Sequence, residues 1–126
     1  RSILTFRPVV TGLSGGVSLP GTIAQFAGAA FIAAVAYEVR IAPFWPVAIA
    51  GVAGGFFDSI AGASVQALRW CPRCARPCET NPHVCGTPTT MFRGLGWIDN
   101  DAVNFLATLF GAGVALLFAS HWHSLR

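Results

Sequence analysis

The chain has 126 residues, of which 54% are hydrophobic and only 10% charged, with a formal net charge of +3. Soluble domains carry about 25% charged residues, so the composition excludes an ordinary soluble globular domain. The small positive excess gives no reason to expect a nucleic-acid partner. The length allows one domain, and all eight basic residues are arginine against five acids.

The first 18 residues form a glycine-rich segment that leads into the first apolar run through TGLSGGVSLPGT. Gly15, Gly16, Ser18, Gly21 and Thr22 put backbone N–H groups at a helix start, where phosphate can be held. The spacing is not that of a Walker A loop, and a plain turn with a helix cap is the competing reading. Apolar runs follow at residues 19–39 and 44–66, with a third at 102–120. A helix rises about 1.5 Å per residue and a bilayer core takes about 17–25 residues, so each run predicts one transmembrane helix. The expected organisation is a segment over 1–18, a helical hairpin over 19–66, a cysteine-rich loop over 67–101, and a third span with its tail over 102–126.

Small residues recur at intervals of four in all three runs: Ala24 and Gly28, then Gly51, Gly55 and Ser59, then Ala107, Gly111 and Ala115. Such rows let helices approach closely in lipid, and they predict packing within a bundle or against other membrane helices or subunits. Three spans put the N-terminal segment and the 67–101 loop on one side of the membrane. That side carries Arg1, Arg7, Arg69, Arg73, Arg76 and Arg93, whereas the other carries Arg40 and Arg126. The positive-inside rule then predicts a cytoplasmic loop, in a bacterial inner membrane or an organelle membrane.

All four cysteines fall in RWCPRCARPCETNPHVCG, spaced C-x2-C-x3-C-x6-C. A C-x2-C turn commonly supplies two of the four ligands of a tetrahedral zinc, here Cys71 and Cys74. Cys85 supplies a third, and His83 or Cys78 the fourth. In an extended segment residues two apart share a side, which suits His83 with Cys85. The spacing departs from the ferredoxin iron–sulfur patterns, and disulfides disagree with a cytoplasmic loop. The loop has little apolar material, so a metal would stand in for a core.

Two polar features reach membrane depth. Asp58 lies inside the second run, in GGFFDSIAG, where a carboxylate faces a partner or a cavity. The third run opens with WIDNDAVNF. Asp99 or Asn100 can cap the helix, while Asp101, Asn104 and Thr108 form a polar stripe. Carboxylate and amide oxygens suit magnesium shared with a phosphate, so Asp99, Asp101 and Asn104 are expected either to hold that ion or simply to start the helix.

GGVSLPGT before a span, FDSIAGASVQ inside the next, CPRC with HVCG in the loop, and RGLGWIDNDAVNFLATLFGA into the last together resemble the DUF92/TMEM19-like integral membrane family, over residues 11–117. Plant members of that family are implicated as phytyl-phosphate kinases, which convert an isoprenoid monophosphate to the diphosphate. The resemblance implies site roles for Gly15, Gly16, Ser18, Gly21, Thr22, Asp58, Asp99, Asn100, Asp101 and Asn104. In the implied mechanism the glycine stretch cradles phosphate, the acids and Asn104 bind magnesium directly or through water, Asp58 supports the site, and an isoprenoid tail lies between helices. Family members also carry upstream helices and an acidic DTxASE-like segment, so the chain is expected to correspond to the C-terminal half of such an enzyme or to a shortened relative. The expectation is an all-α membrane protein of three spans with a zinc-binding loop. The alternative is a non-catalytic accessory subunit whose zinc-stabilised loop serves packing in a larger complex.

Overall fold

The computed structural model describes the backbone of residues 1–124 and the side chains of residues 1–120; Arg126, counted above for the topology, lies outside the described residues. Three long helices are present: α1 (Leu19–Glu38), α2 (Phe44–Ser64) and α3 (Asn100–Ser124). All three are long and apolar enough to cross a membrane. Between α2 and α3 lies a three-stranded antiparallel sheet of β1 (Leu68–Cys71), β2 (Arg76–Cys78) and β3 (Thr90–Arg93), in the order β2-β1-β3. The expectation of an all-α chain is therefore corrected. Backbone pairing of Arg69 with Cys78 and of Trp70 with Thr90 gives the loop a sheet of its own.

The helix limits have local causes. The Ser18 hydroxyl accepts the Gly21 N–H and opens α1, with Pro20 in its first turn. Arg40, at φ 58°, closes that helix in the left-handed region, and Pro43 follows. At the other end of the hairpin, the Arg93 guanidinium donates to the Ala63 carbonyl and the Leu95 N–H to the Val65 carbonyl, so β3 and the turn after it take up carbonyls in and just past the last turn of α2. Gly94, at φ +82°, makes this possible, since a Cβ there would overlap the Gln66 backbone. Asp99 caps α3, its Oδ1 accepting the Ala102 N–H at 2.9 Å.

The chain divides into two compact units. One joins Arg1–Gly16 to Asp58–Phe105. Its core is small and partly polar: Ala61, Ala63, Ala67, Cys71, Ile98 and Val103 are buried together with Gln66 and His83. The N-terminal segment is part of it, pairing Ser2 with Gly16 and donating the Ile3 N–H to the Gly15 carbonyl.

The other unit is helical, Val17–Phe57 with the chain from Leu106. Here α2 offers two adjacent small-residue rows. Gly51 and Gly55 face α1, where an added Cβ would meet Ala29 and Gln25. Ala50 and Gly54 face α3, where a Cβ added at Gly111 would lie 3.3 Å from the Ala50 carbonyl oxygen and 3.9 Å from the Gly54 Cα. The Gln25 amide donates to the Val52 carbonyl at 2.9 Å, a polar tie between α1 and α2. Phe57 and Phe110 stack at 4.6 Å. Gly28, expected in a seam, has open space beside it. Large side chains such as Ile23, Phe31, Phe105 and Leu116 stand exposed on the helices, as lipid-facing residues do.

Candidate metal centre and polar cleft

The β1–β2 hairpin builds the first half of the cysteine site. Cys71 ends β1, Cys74 lies in the turn, and Ala75 at φ 48° lets the chain reverse into β2. The second half is a turn closed by the Gly86 N–H on the His83 carbonyl at 2.7 Å. His83 and Cys85 meet through this turn, with Gly86 at φ +78°, and not through an extended segment as expected. Ligand atoms of Cys71, Cys74, His83 and Cys85 all lie within 4.8 Å of one another. The Cys71 and Cys85 sulfurs are 3.6 Å apart, and His83 Nδ1 is 3.2 Å from the Cys85 sulfur. Zinc bonds of about 2.3 Å to sulfur and about 2.0–2.1 Å to nitrogen place tetrahedral ligands roughly 3.5–3.8 Å apart, so the four groups fit one such ion. Among the described residues no other His, Cys, Asp or Glu group closes in this way. Cys78, the other option for the fourth position, is outside the cluster; it is buried in β2 with its sulfur 3.9 Å from the Thr80 carbonyl.

Without a metal the cluster already favours one thiolate. Cys85 is held down to about 5, first by the Thr87 hydroxyl and then by the His83 ring. Cys74 is pushed up to about 11, first because its thiol is hydrogen-bonded to Cys85. A thiolate surrounded by donors is a prepared metal ligand.

Directly after Cys78 the chain supplies Glu79, which the sequence reading did not single out. One carboxylate oxygen accepts the Ser14 N–H, and the other accepts the Ser14 hydroxyl and the Gln66 amide, both at 3.0 Å. The same amide nitrogen lies 3.0 Å from the Ser14 hydroxyl oxygen. This network binds the cysteine loop to the glycine stretch through the end of α2. Gln66 is 2% exposed, and its side-chain amide oxygen has no donor among the described residues. The signal for Glu79 was its rarity, as one of five acids in the chain.

Beside Glu79 opens a polar cleft of about 540 Å³, lined by Arg69, Asn81, Asp99, Asn100 and Asp101 among others. It gathers the acids at the start of α3 with the loop. Gly15 and Gly16 do not line it. Gly15 is buried, at φ +77°, where a Cβ would overlap the Ala63 backbone, so this glycine permits close packing of the segment on α2. Ser18, Gly21 and Thr22 belong to the helical unit, and Ser18 acts there as a cap. Asp58 is half-buried in α2, and neither it nor Asn104 lines the cleft.

Helices of membrane-spanning length and a cysteine–histidine cluster define an integral membrane protein with a candidate metal centre. The sequence profile of the integral membrane proteins DUF92 matches residues 1–112, and the chain belongs to that family. It is 30% identical to Protein PGR of Arabidopsis thaliana over 86% of its own length and 41% of that protein. It is 26% identical to an uncharacterised membrane protein of Synechocystis sp. over 90% of its length and 35% of that protein. The chain thus spans well under half of these relatives. No solved structure matches it.

Proposed function

We propose that this chain contributes the phosphate-handling part of an isoprenoid-phosphate kinase, with zinc as a structural ion and magnesium at the polar cleft. The observation that carries the reading is the meeting of Asp99, Asp101 and Glu79 with Arg69 around one cleft, in a chain that has so few acids. Acids and an arginine at one site suit a phosphate accompanied by a divalent cation. Asp101 and the free oxygen of Asp99 would hold magnesium, directly or through water, with Glu79 and Asn81 opposite them in place of the more distant Asn104. Magnesium would neutralise phosphate charge, since phosphoryl transfer depends mainly on positioning and charge stabilisation. Arg69 would orient a phosphate oxygen. Ser14, fixed by Glu79 and Gln66, would position the glycine stretch, and Asp58 would support the site from within α2. The substrate would be an isoprenoid monophosphate drawn from the membrane, and the cysteine loop would face the cytoplasm.

The test uses the protein at its full natural length. Asp101→Asn should lower phosphorylation of an isoprenoid monophosphate by about 100-fold or more, as loss of a charge-stabilising group does, with the melting temperature unchanged. Unchanged turnover would leave the acids as helix caps. Absence of kinase activity in the unsubstituted protein would favour an accessory subunit whose zinc-stabilised loop packs against partner chains.

A further inference from the structure

Two of the three sulfurs in the cysteine–histidine cluster can be reached from solvent. Cys74 is exposed in its turn and Cys85 is half-buried, whereas Cys71 has no exposed surface. The Cys71 and Cys85 sulfurs stand 3.6 Å apart although the residues are 14 positions apart in the chain. A disulfide bond is about 2.05 Å long, so a closure of about 1.5 Å joins them. Cys71 ends a strand and pairs there with Arg76, which fixes the position of its sulfur. Cys85 lies in an exposed turn between Val84 and Gly86, and nothing lies within 4 Å of a Cβ added at Gly86, so this turn has room to move. Partly exposed cysteines among polar donors are the reactive ones, and buried ones are inert. Cys78, buried in β2 outside the cluster, is of the inert kind.

We propose that Cys85 and Cys71 form a reversible oxidation site for small hydroperoxides, and that their disulfide and a bound metal exclude each other. Cys85, the more accessible of the pair, meets the oxidant. Its sulfur attacks one peroxide oxygen: an S–O bond forms, the O–O bond breaks, and the other oxygen leaves as water or an alcohol with the Cys85 proton. The Cys71 sulfur then attacks the Cys85 sulfur: the S–S bond forms, the S–O bond breaks, and hydroxide leaves as water with the Cys71 proton. The two thiols lose two electrons and the peroxide gains them. In a loaded site the metal stands in place of the two protons, and solvent supplies them as it leaves. Cys71 resolves the sulfenic acid in preference to Cys74 because it is already fixed at contact distance, and a set orientation speeds attack. The bridge consumes two of the four ligands, and Cys74 with His83 falls short of the four that a tetrahedral ion takes. Glu79, Thr80 and Asn81 lie between the bridged residues and line the polar cleft, so the state of the sulfurs reaches the cleft through a short stretch of chain. The strand pairing and the Glu79 bonds to Ser14 and Gln66 use no sulfur, and the loop keeps these supports when the sulfurs join. On the cytoplasmic side proposed for the loop thiols are kept reduced, so the bridge forms under oxidant and a dithiol reverses it by exchange. The inference requires neither kinase activity nor magnesium.

The experiment uses the full chain in an uncharged detergent, reduced, loaded with zinc and then treated with hydrogen peroxide. Peptide mass spectrometry without reduction should find Cys71 bridged to Cys85 and Cys78 still a thiol. A chromogenic chelator should report zinc release at the rate of bridge formation, and dithiothreitol should restore both the thiols and zinc binding. Loss of a group that merely supports a metal ligand costs about 10–100-fold in affinity, so loss of two ligands should weaken zinc binding by more than about 100-fold. Cys78→Ser should react as the parent does. Cys71→Ser should stop at the sulfenic acid of Cys85, read as a dimedone adduct, and the connectivity in the parent decides the matter if this variant unfolds. A bridge confined to Cys71 and Cys74, a bridge to Cys78, oxidation that leaves zinc bound, or reduced protein that binds zinc no more tightly than oxidised protein would overturn the proposal. Failure of the kinase reading shows separately, as absent turnover in fully reduced protein.

Discussion

Cys85 and Cys74 sit in one cluster with opposite acidities, and this has a direct chemical consequence. In metal-free protein Cys85 is ionised at neutral pH and Cys74 is not. Iodoacetamide at pH 7 should modify Cys85 before Cys74, as followed by peptide mass spectrometry; equal rates would contradict the hydrogen bonding described. The lowered pKa of Cys85 also has a stability consequence. The fold gains from its thiolate fully above the ordinary value of 9.0, and that gain is lost as pH falls toward about 5. Metal release should follow the same acidification, since metal competes with protons for the ligands. Purified protein should contain about one zinc per chain, and Cys71→Ser should lose it while Cys78→Ser should retain it. Gly15 is a second residue with a defined constraint. Gly15→Ala places a side chain in the left-handed region, which costs about 1–2 kcal/mol before the overlap with Ala63 is counted. The melting temperature should fall accordingly.

At the scale of elements, α2 is the helix on which both neighbours pack. Its two small-residue rows are offset by one position, so Gly51 and Gly55 serve α1 while Ala50 and Gly54 serve α3. The GxxxG spacing was visible in the sequence, but the second row was hidden in an alanine-rich background. The row in α3 was legible as Ala107 and Gly111, whereas the expected row in α1 was not a seam at Gly28. A large side chain at Gly111 meets the Ala50 carbonyl, and one at Gly28 meets open space. Gly111→Leu should therefore destabilise the purified protein by about 1–3 kcal/mol, as overpacking does, and Gly28→Leu should leave its melting temperature unchanged. Similar losses for both would show that the packing rows are assigned incorrectly.

At the scale of the whole molecule, three spans require the N-terminal segment and the cysteine loop to lie on the same side of the membrane. The bonds from Ser14 to Glu79 and Gln66 agree with that requirement, because they join the two segments in one folded unit. An impermeant thiol reagent applied to intact cells after metal removal should fail to label the cysteines if that side is cytoplasmic, as the arginine distribution predicts. Labelling from outside would reverse the topology.

Length and apolarity by themselves determined the three helices, since a span needs only enough consecutive apolar residues to satisfy its backbone in lipid. The predicted run 19–39 became Leu19–Glu38, and 44–66 became Phe44–Ser64. Cysteine spacing determined three members of the cluster, because a short turn between Cys71 and Cys74 leaves little freedom. The tertiary structure decided between His83 and Cys78, by pairing Cys78 into the sheet and turning His83 back toward Cys85. It also decided that the loop contains a sheet, whose strands are only three or four residues long and carry no regular alternation of apolar and polar side chains. The partnership of Glu79 with Ser14, 65 residues away, and the bond from Arg93 to the Ala63 carbonyl belong to tertiary structure as well. Local sequence holds no signal for either, because contacts between distant residues depend on how the segments fold back on one another, and periodicity and spacing describe only near neighbours.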